Sequence, residues 1–176
     1  MRTTVCVSVM VFALAASAGA QTKVSGKLNC AKPDVNSSAE PGDAPGHMVM
    51  LTKAACTWPT PLDIAGVKTK SAVDVGTADV HGSTGNQRGY STSTMDNGDK
   101  ASVSYQGTMK MNKDGSGTFS GTWKWTGGTG KFKGMKGSGT YKGTAAADGS
   151  GMADIEGDYM MPEPKPAAEK KGKKPN

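Results

Sequence analysis

Gly115–Gly143 reads GSGTFSGTWKWTGGTGKFKGMKGSGTYKG, and the spacing of its residues decides the fold. Two copies of one phrase bracket it, GSGTFSG at Gly115–Gly121 and GSGTYKG at Gly137–Gly143. From Thr118 the side chains alternate. Phe119, Gly121, Trp123 and Trp125 share one face, and Thr118, Ser120, Thr122 and Lys124 the other, which is the period of a half-buried strand. A glycine inside a strand weakens it unless the backbone must bend or something must come close. Gly121 and Gly143 therefore read as bends of a strongly curved sheet, with the glycine-rich Thr126–Gly134 as the corner between two strands.

Working outward, the same period recurs. In Lys100–Met111, Ala101, Val103, Tyr105, Gly107, Met109 and Met111 alternate with polar residues. In Met152–Tyr159, Ala153, Ile155, Gly157 and Tyr159 form the inner set, and Asp154, Glu156 and Asp158 form an acidic stripe facing water. Lys124, Lys131, Lys133, Lys136 and Lys142 are expected to pair with that stripe across strands. Asp96-Asn97-Gly98-Asp99 predicts a type I′ hairpin, and Asp114-Gly115 and Asp148-Gly149 predict further turns. His47–Thr57 predicts a strand covered on both faces, since Met48 and Met50 lie on one side and Val49 and Leu51 on the other. Lys68–Val80 predicts one or two more strands. The expected architecture is all-β, a small antiparallel up-and-down barrel of about 7–8 strands, since closure removes exposed edges.

The phrase Thr126-Gly-Gly-Thr-Gly-Lys-Phe-Lys-Gly134, continued by Gly137 and Gly139, resembles the GGTGxFxGxxGxG segment of bacterial secreted proteins in the dirigent and allene oxide cyclase barrel group. The resemblance spans about residues 117–143. It implies a calycin-like or allene oxide cyclase-like barrel and places no active-site residue. Gly121-Thr-Trp123 also matches the Gly-x-Trp of lipocalins, where it lies near the first strand rather than late in the chain. A phosphate loop is excluded, because Gly130-Lys131 is followed by Phe132 and not by Ser or Thr.

Residues 1–20 have the layout of a secretory signal: Arg2, the apolar run Val5–Ala16, and the small residues Ala18-Gly19-Ala20. The run is too short to span a bilayer. A periplasmic or secreted protein is expected. Beyond that segment two cysteines remain, Cys30 and Cys56, which pair by default in an oxidising compartment. A metal or redox pair would need a CxxC spacing or nearby histidines. Residues 21–46, with Pro33, Pro41 and Pro45, are expected to form an extended polar arm tied by this disulfide to a barrel domain at 47–160. Residues 161–176 form a Lys/Pro-rich tail with no apolar pattern and are expected to be disordered.

The chain carries +6. Arg2 accounts for one of these charges, and residues 162–176, with five lysines and two glutamates, for three more. The remainder, about +2, is too weakly basic to imply specific nucleic-acid recognition. Lys170, Lys171, Lys173 and Lys174 leave weak contact with anionic surfaces or polyanions as one expected role of the tail. His47 and His81 are the sole histidines, expected at strand ends or the surface. No metal set, EF-hand loop or nucleophilic triad is identifiable, so no metal or cofactor is expected.

Tyr105, Met109, Phe119, Trp123, Trp125, Tyr141 and Tyr159 are expected to converge inside the barrel, as a filled core or as a pocket for a small apolar ligand. The leading expectation is an exported, non-enzymatic protein that binds such a ligand or acts as an envelope scaffold. An allene oxide cyclase-like isomerase or cyclase would need an inward carboxylate or histidine, and the expected inner face shows almost none.

Overall fold

The computed structural model describes residues 21–163. The signal-like segment and all but the first three residues of the basic tail lie outside the described residues. Ten strands form one sheet: β1 Thr22–Cys30, β2 Val35–Ala39, β3 His47–Thr57, β4 Asp63–Ile64, β5 Val67–His81, β6 Thr84–Met95, β7 Lys100–Met111, β8 Gly117–Gly128, β9 Ser138–Ala145 and β10 Gly151–Tyr159. Eight of them close an antiparallel barrel in the order β1-β10-β9-β8-β7-β6-β5-β3 and back to β1, while β2 and β4 are short additions. From β5 to β10 every neighbour is joined by a hairpin or corner, as the alternation implied. A single turn of 3-10 helix, Gly130–Phe132, lies in the β8–β9 corner.

Residues 21–46 are not a free arm. Val24, Gly26, Leu28 and Cys30 alternate with polar residues, and β1 pairs along its whole length with β10, from Thr22↔Tyr159 to Cys30↔Gly151. The prolines lie beyond β1 and leave it intact. The barrel therefore begins at β1 rather than at residue 47. Its last seam is thin: β1 meets β3 only at Asn29↔Thr57 and Cys30↔Cys56. The Cys30–Cys56 disulfide crosses this seam, and β2 continues the edge by pairing with β3 from Val35↔Lys53 to Ala39↔Val49.

The hairpin chemistry differs from expectation at one turn. At Asp96–Asp99 only Gly98 takes a positive φ, 86°, and Gly98 N–H bonds to Met95 O at 3.0 Å. That is a type I turn closed by a left-handed glycine. The same three-residue pattern recurs at Lys113-Asp114-Gly115 and Ala147-Asp148-Gly149. Asp114 and Asp148 do not themselves take the positive φ. Each accepts hydrogen bonds from the backbone and hydroxyl of the serine two residues on, which lowers its pKa. The two-residue turn with both φ positive falls instead at Ala65-Gly66, between β4 and β5.

One end of the barrel is plugged. Leu62, Ile64, Met95, Ala101, Trp123, Phe132, Met135 and Tyr159 form a buried cluster there; the 3-10 turn delivers Phe132 into it, and the residues that follow deliver Met135. Asp99 anchors that turn by accepting from Lys131 N–H at 3.1 Å. Tyr159 donates no cavity contact; its hydroxyl accepts from Ala65 N–H at 2.9 Å and ties β10 to the β4–β5 turn. A second cluster of Leu28, Ala54, Cys56 and Ala72 sits beside the disulfide.

The outer surface carries two further corrections. β3 is not covered on both faces: Val49 and Leu51 are 41% and 44% exposed, because among the described residues no element packs outside them. The acidic stripe of β10 forms its ion pairs with β1, Lys27 with Asp154 and Lys23 with Asp158, while the predicted Lys142 stands directly across from Asp154 on β9 and also favours its charge.

Candidate functional site

Inside the barrel, aromatic rings face small residues on the next strand. Tyr105 on β7 is the direct partner of Gly89 on β6, which pairs in turn with Gly76 on β5. The ring lies across this row of glycines, and a Cβ at Gly76 would overlap its hydroxyl. Tyr141 on β9 similarly lies over Gly121, its partner on β8. The repeated glycines therefore clear interior space for rings, as well as permitting the curvature expected of them.

Four polar side chains meet within this aromatic lattice. Tyr105 donates its hydroxyl hydrogen to Asp74 Oδ1 at 2.9 Å. Gln87 Nε2 donates to the Tyr141 hydroxyl oxygen at 2.9 Å. The two tyrosine rings stand edge to face with centroids 5.7 Å apart, and Phe119 leans on Tyr141 at 6.1 Å. Burial pushes the Asp74 carboxyl up to about 6, opposed by the Tyr105 hydrogen bond. Burial and the adjacent Asp74 charge push the Tyr105 hydroxyl above its ordinary value. Tyr141 also rises, first through burial.

These groups line an elongated cavity of about 340 Å³. It runs from the plug toward the β7–β8 and β9–β10 turns, where Met50, Met111, Gly115 and Gly149 surround it. Tyr105, Met109, Phe119, Trp123, Trp125 and Tyr141 all contribute to its wall; Tyr159 does not. Trp123 and Trp125 direct their indole N–H groups to backbone oxygens of Thr140 and Asp158, at 3.1 and 3.2 Å, and present carbon surface to the interior. The volume suits one small ligand of mostly apolar character.

The sequence reading missed Asp74. In Ala72-Val73-Asp74-Val75-Gly76 the larger apolar residues are the valines, so hydrophobicity alone turns them inward. The register does the opposite. Val73 and Val75 are 43% and 39% exposed, while Ala72 and Gly76 are buried. Gly76 opposite Gly89 was the available signal, because such a pair marks where a ring from a third strand must lie. The expectation of an inner face almost free of ionisable groups is corrected accordingly.

His47 and His81 are brought together, although 34 positions separate them. They are direct cross-strand partners at the start of β3 and the end of β5. Their rings stack with centroids 3.9 Å apart. His47, only 8% exposed, contacts Asp43 Oδ1 through Nδ1 at 2.5 Å and Asp79 Oδ1 through Nε2 at 2.9 Å. The Asp43 hydrogen bond is the main cause raising the His47 pKa. This cluster lies on the outer face, since Val80, between Asp79 and His81, is buried and points the other way.

No family model matches the chain, and no curated protein matches it. Among solved structures, the chain is similar to the pterocarpan synthase dirigent protein GePTS1, with 14% identity and a TM-score of 0.50. The match covers 84% of this chain and 88% of that one. At that identity the likeness concerns the fold, and the fold is a dirigent-like β-barrel. No helix among the described residues is long and apolar enough to cross a membrane.

Proposed function

We propose that the barrel interior binds a small, mostly apolar ligand carrying one polar group, held beside the Asp74–Tyr105 pair. The observation that carries this reading is a buried carboxyl–hydroxyl pair in the wall of an aromatic-lined cavity of about 340 Å³. A few placed polar groups in an otherwise apolar wall are what orients a ligand there. The signal-like N-terminus and the disulfide support an exported protein working outside the cytoplasm.

Asp74 gives weight to a second reading, an isomerase or cyclase. A carboxyl raised to about 6 exchanges a proton readily near neutral pH. It would take a proton from one position of a bound precursor and return it at another, with Tyr105 orienting the group. The neighbouring fold belongs to a protein described as a pterocarpan synthase, which is a statement about that protein.

The test is titration with N-phenyl-1-naphthylamine, an apolar fluorescent molecule of suitable size. Saturable 1:1 binding with a change in tryptophan emission is expected, weakened at least about tenfold by the cavity-filling substitution Met109→Trp. Absence of saturation, or unchanged affinity in a folded Met109→Trp variant, removes the interior as the binding site. Proton transfer is tested separately, by solvent deuterium incorporation into a bound enolisable ketone and its loss in Asp74→Asn.

A further inference from the structure

The geometry points to a transition-metal site on the outer rim of the barrel, formed by His47 Nε2, His81 Nε2 and a carboxylate oxygen of Asp79, with zinc as the fitting ion. The three side chains offer ligand atoms that all lie within 4.8 Å of one another. Asp79 Oδ1 stands 2.9 Å from His47 Nε2 and 3.4 Å from His81 Nε2. Donor atoms around a four-coordinate zinc lie about 3.3 Å apart, given bond lengths of about 2.0–2.1 Å. Two of the three donor separations therefore match that spacing, and the third lies within 4.8 Å.

The chemistry of the contacts favours a cation at this point. His47 Nδ1 faces Asp43 Oδ1 at 2.5 Å, and in the neutral tautomer that places its hydrogen on Nδ1 it donates there. Its Nε2 then carries a lone pair, aimed at the carboxylate oxygen of Asp79. His81 directs a second Nε2 at the same oxygen. A divalent ion at this point takes the place of the hydrogen between His47 Nε2 and Asp79 Oδ1 and draws all three donors into coordination. Two imidazoles and one carboxylate suit zinc, copper or nickel rather than calcium or magnesium.

The surroundings are those of a supported site. Asp43 plays the part of the carboxylate that fixes a metal-bound imidazole in one tautomer and orientation. His47 is held rigidly by burial, its side chain 9% exposed, while His81 and Asp79 are 61% and 58% exposed. The solvent side is thus left for a fourth ligand, water or a substrate atom, as in zinc sites that do chemistry. The ion would also tie the 40–46 loop and the start of β3 to the end of β5.

The experiment uses the full chain, stripped with a chelator and titrated with Co²⁺ at neutral pH. One equivalent is expected to bind and develop the intense visible absorption of four-coordinate cobalt, bleached by one equivalent of Zn²⁺. His81→Ala, at an exposed position, is expected to lose about 100-fold in affinity, and Asp79→Asn a similar amount. Asp43→Asn, which touches no metal, is expected to lose about tenfold through His47 orientation. Far-ultraviolet circular dichroism checks that each variant is folded. Cobalt that keeps the pale spectrum of its aqua ion overturns the site, leaving the cluster as two histidines hydrogen-bonded to carboxylates. Undiminished binding in folded His81→Ala also overturns it, by placing the metal elsewhere.

Discussion

The Tyr105 hydroxyl hydrogen-bonds Asp74 Oδ1 at 2.9 Å, reaching from β7 over β6 to β5. The reach is possible because Gly89 and Gly76 occupy the strand positions beneath the ring. One tyrosine and two glycines therefore set the environment of the interior carboxyl, and the first predictions concern that arrangement.

Asp74 makes stability depend on pH. Its folded pKa of about 6 lies above the ordinary value of 3.8, so the folded protein binds the extra proton between those limits. The associated stability is fully present below about pH 4 and is lost as pH rises through about 6. At neutral pH a charged Asp74 costs up to about 3 kcal/mol, from about 1.4 kcal/mol per pH unit. Asp74→Asn keeps an acceptor for Tyr105 and removes the charge. Urea denaturation is expected to show it more stable than the wild type at neutral pH, by up to that amount, with the difference closing near pH 4.

Tyr105→Phe removes the donor while keeping the ring. The hydrogen bond favours the charged carboxylate, so its loss raises the Asp74 pKa further. Carbon-13 titration of labelled aspartate is expected to show one carboxyl moving to a higher midpoint. Stability at neutral pH is expected to fall by about 1–3 kcal/mol, the cost of an unpaired buried polar group.

Gly76→Ala tests the close approach. The added methyl overlaps the Tyr105 hydroxyl, whereas the next neighbour, Thr52 Oγ1, stands at 3.6 Å. A cost of about 1–3 kcal/mol is expected from overpacking. Combined with Tyr105→Phe, most of that cost disappears, giving a coupling above about 1 kcal/mol in the double-mutant cycle. Additive effects would mean that the glycine serves curvature alone.

The disulfide secures the seam where β1 and β3 share just two residue pairs. It closes a loop over a separation of 26 residues, for which chain entropy gives at most about 3.5 kcal/mol. Cys30→Ala with Cys56→Ala is expected to lose about that much. Hydrogen exchange should rise first in β1 and β3 and least in β7 and β8. Uniform acceleration would show that the seam is held by other contacts.

Much of the barrel was legible because β7, β8 and β10 alternate cleanly between large apolar and polar residues, and three hairpins carry an Asp or Asn before glycine. β1 was hidden because its inner set, Val24, Gly26, Leu28 and Cys30, is small and interleaved with lysines near a proline-rich segment. In the middle of β5 the phase is inverted: Val73 and Val75 face out and Asp74 faces in, since Tyr105 fills the space that larger inward residues would need. The His47–Asp79–His81 cluster depends on a register between strands distant in sequence, and no local spacing announces it. The aromatic lining was legible residue by residue except for Tyr159, whose hydroxyl is engaged by the β4–β5 turn.

The most direct measurement of the interior as a ligand site is isotope-filtered NMR on labelled protein with unlabelled N-phenyl-1-naphthylamine. Through-space contacts from the bound molecule to the rings of Tyr105, Phe119 and Tyr141 are the predicted result. Contacts confined to outward residues such as Val49, Leu51, Val73 and Tyr90, with the interior rings unperturbed, would contradict it.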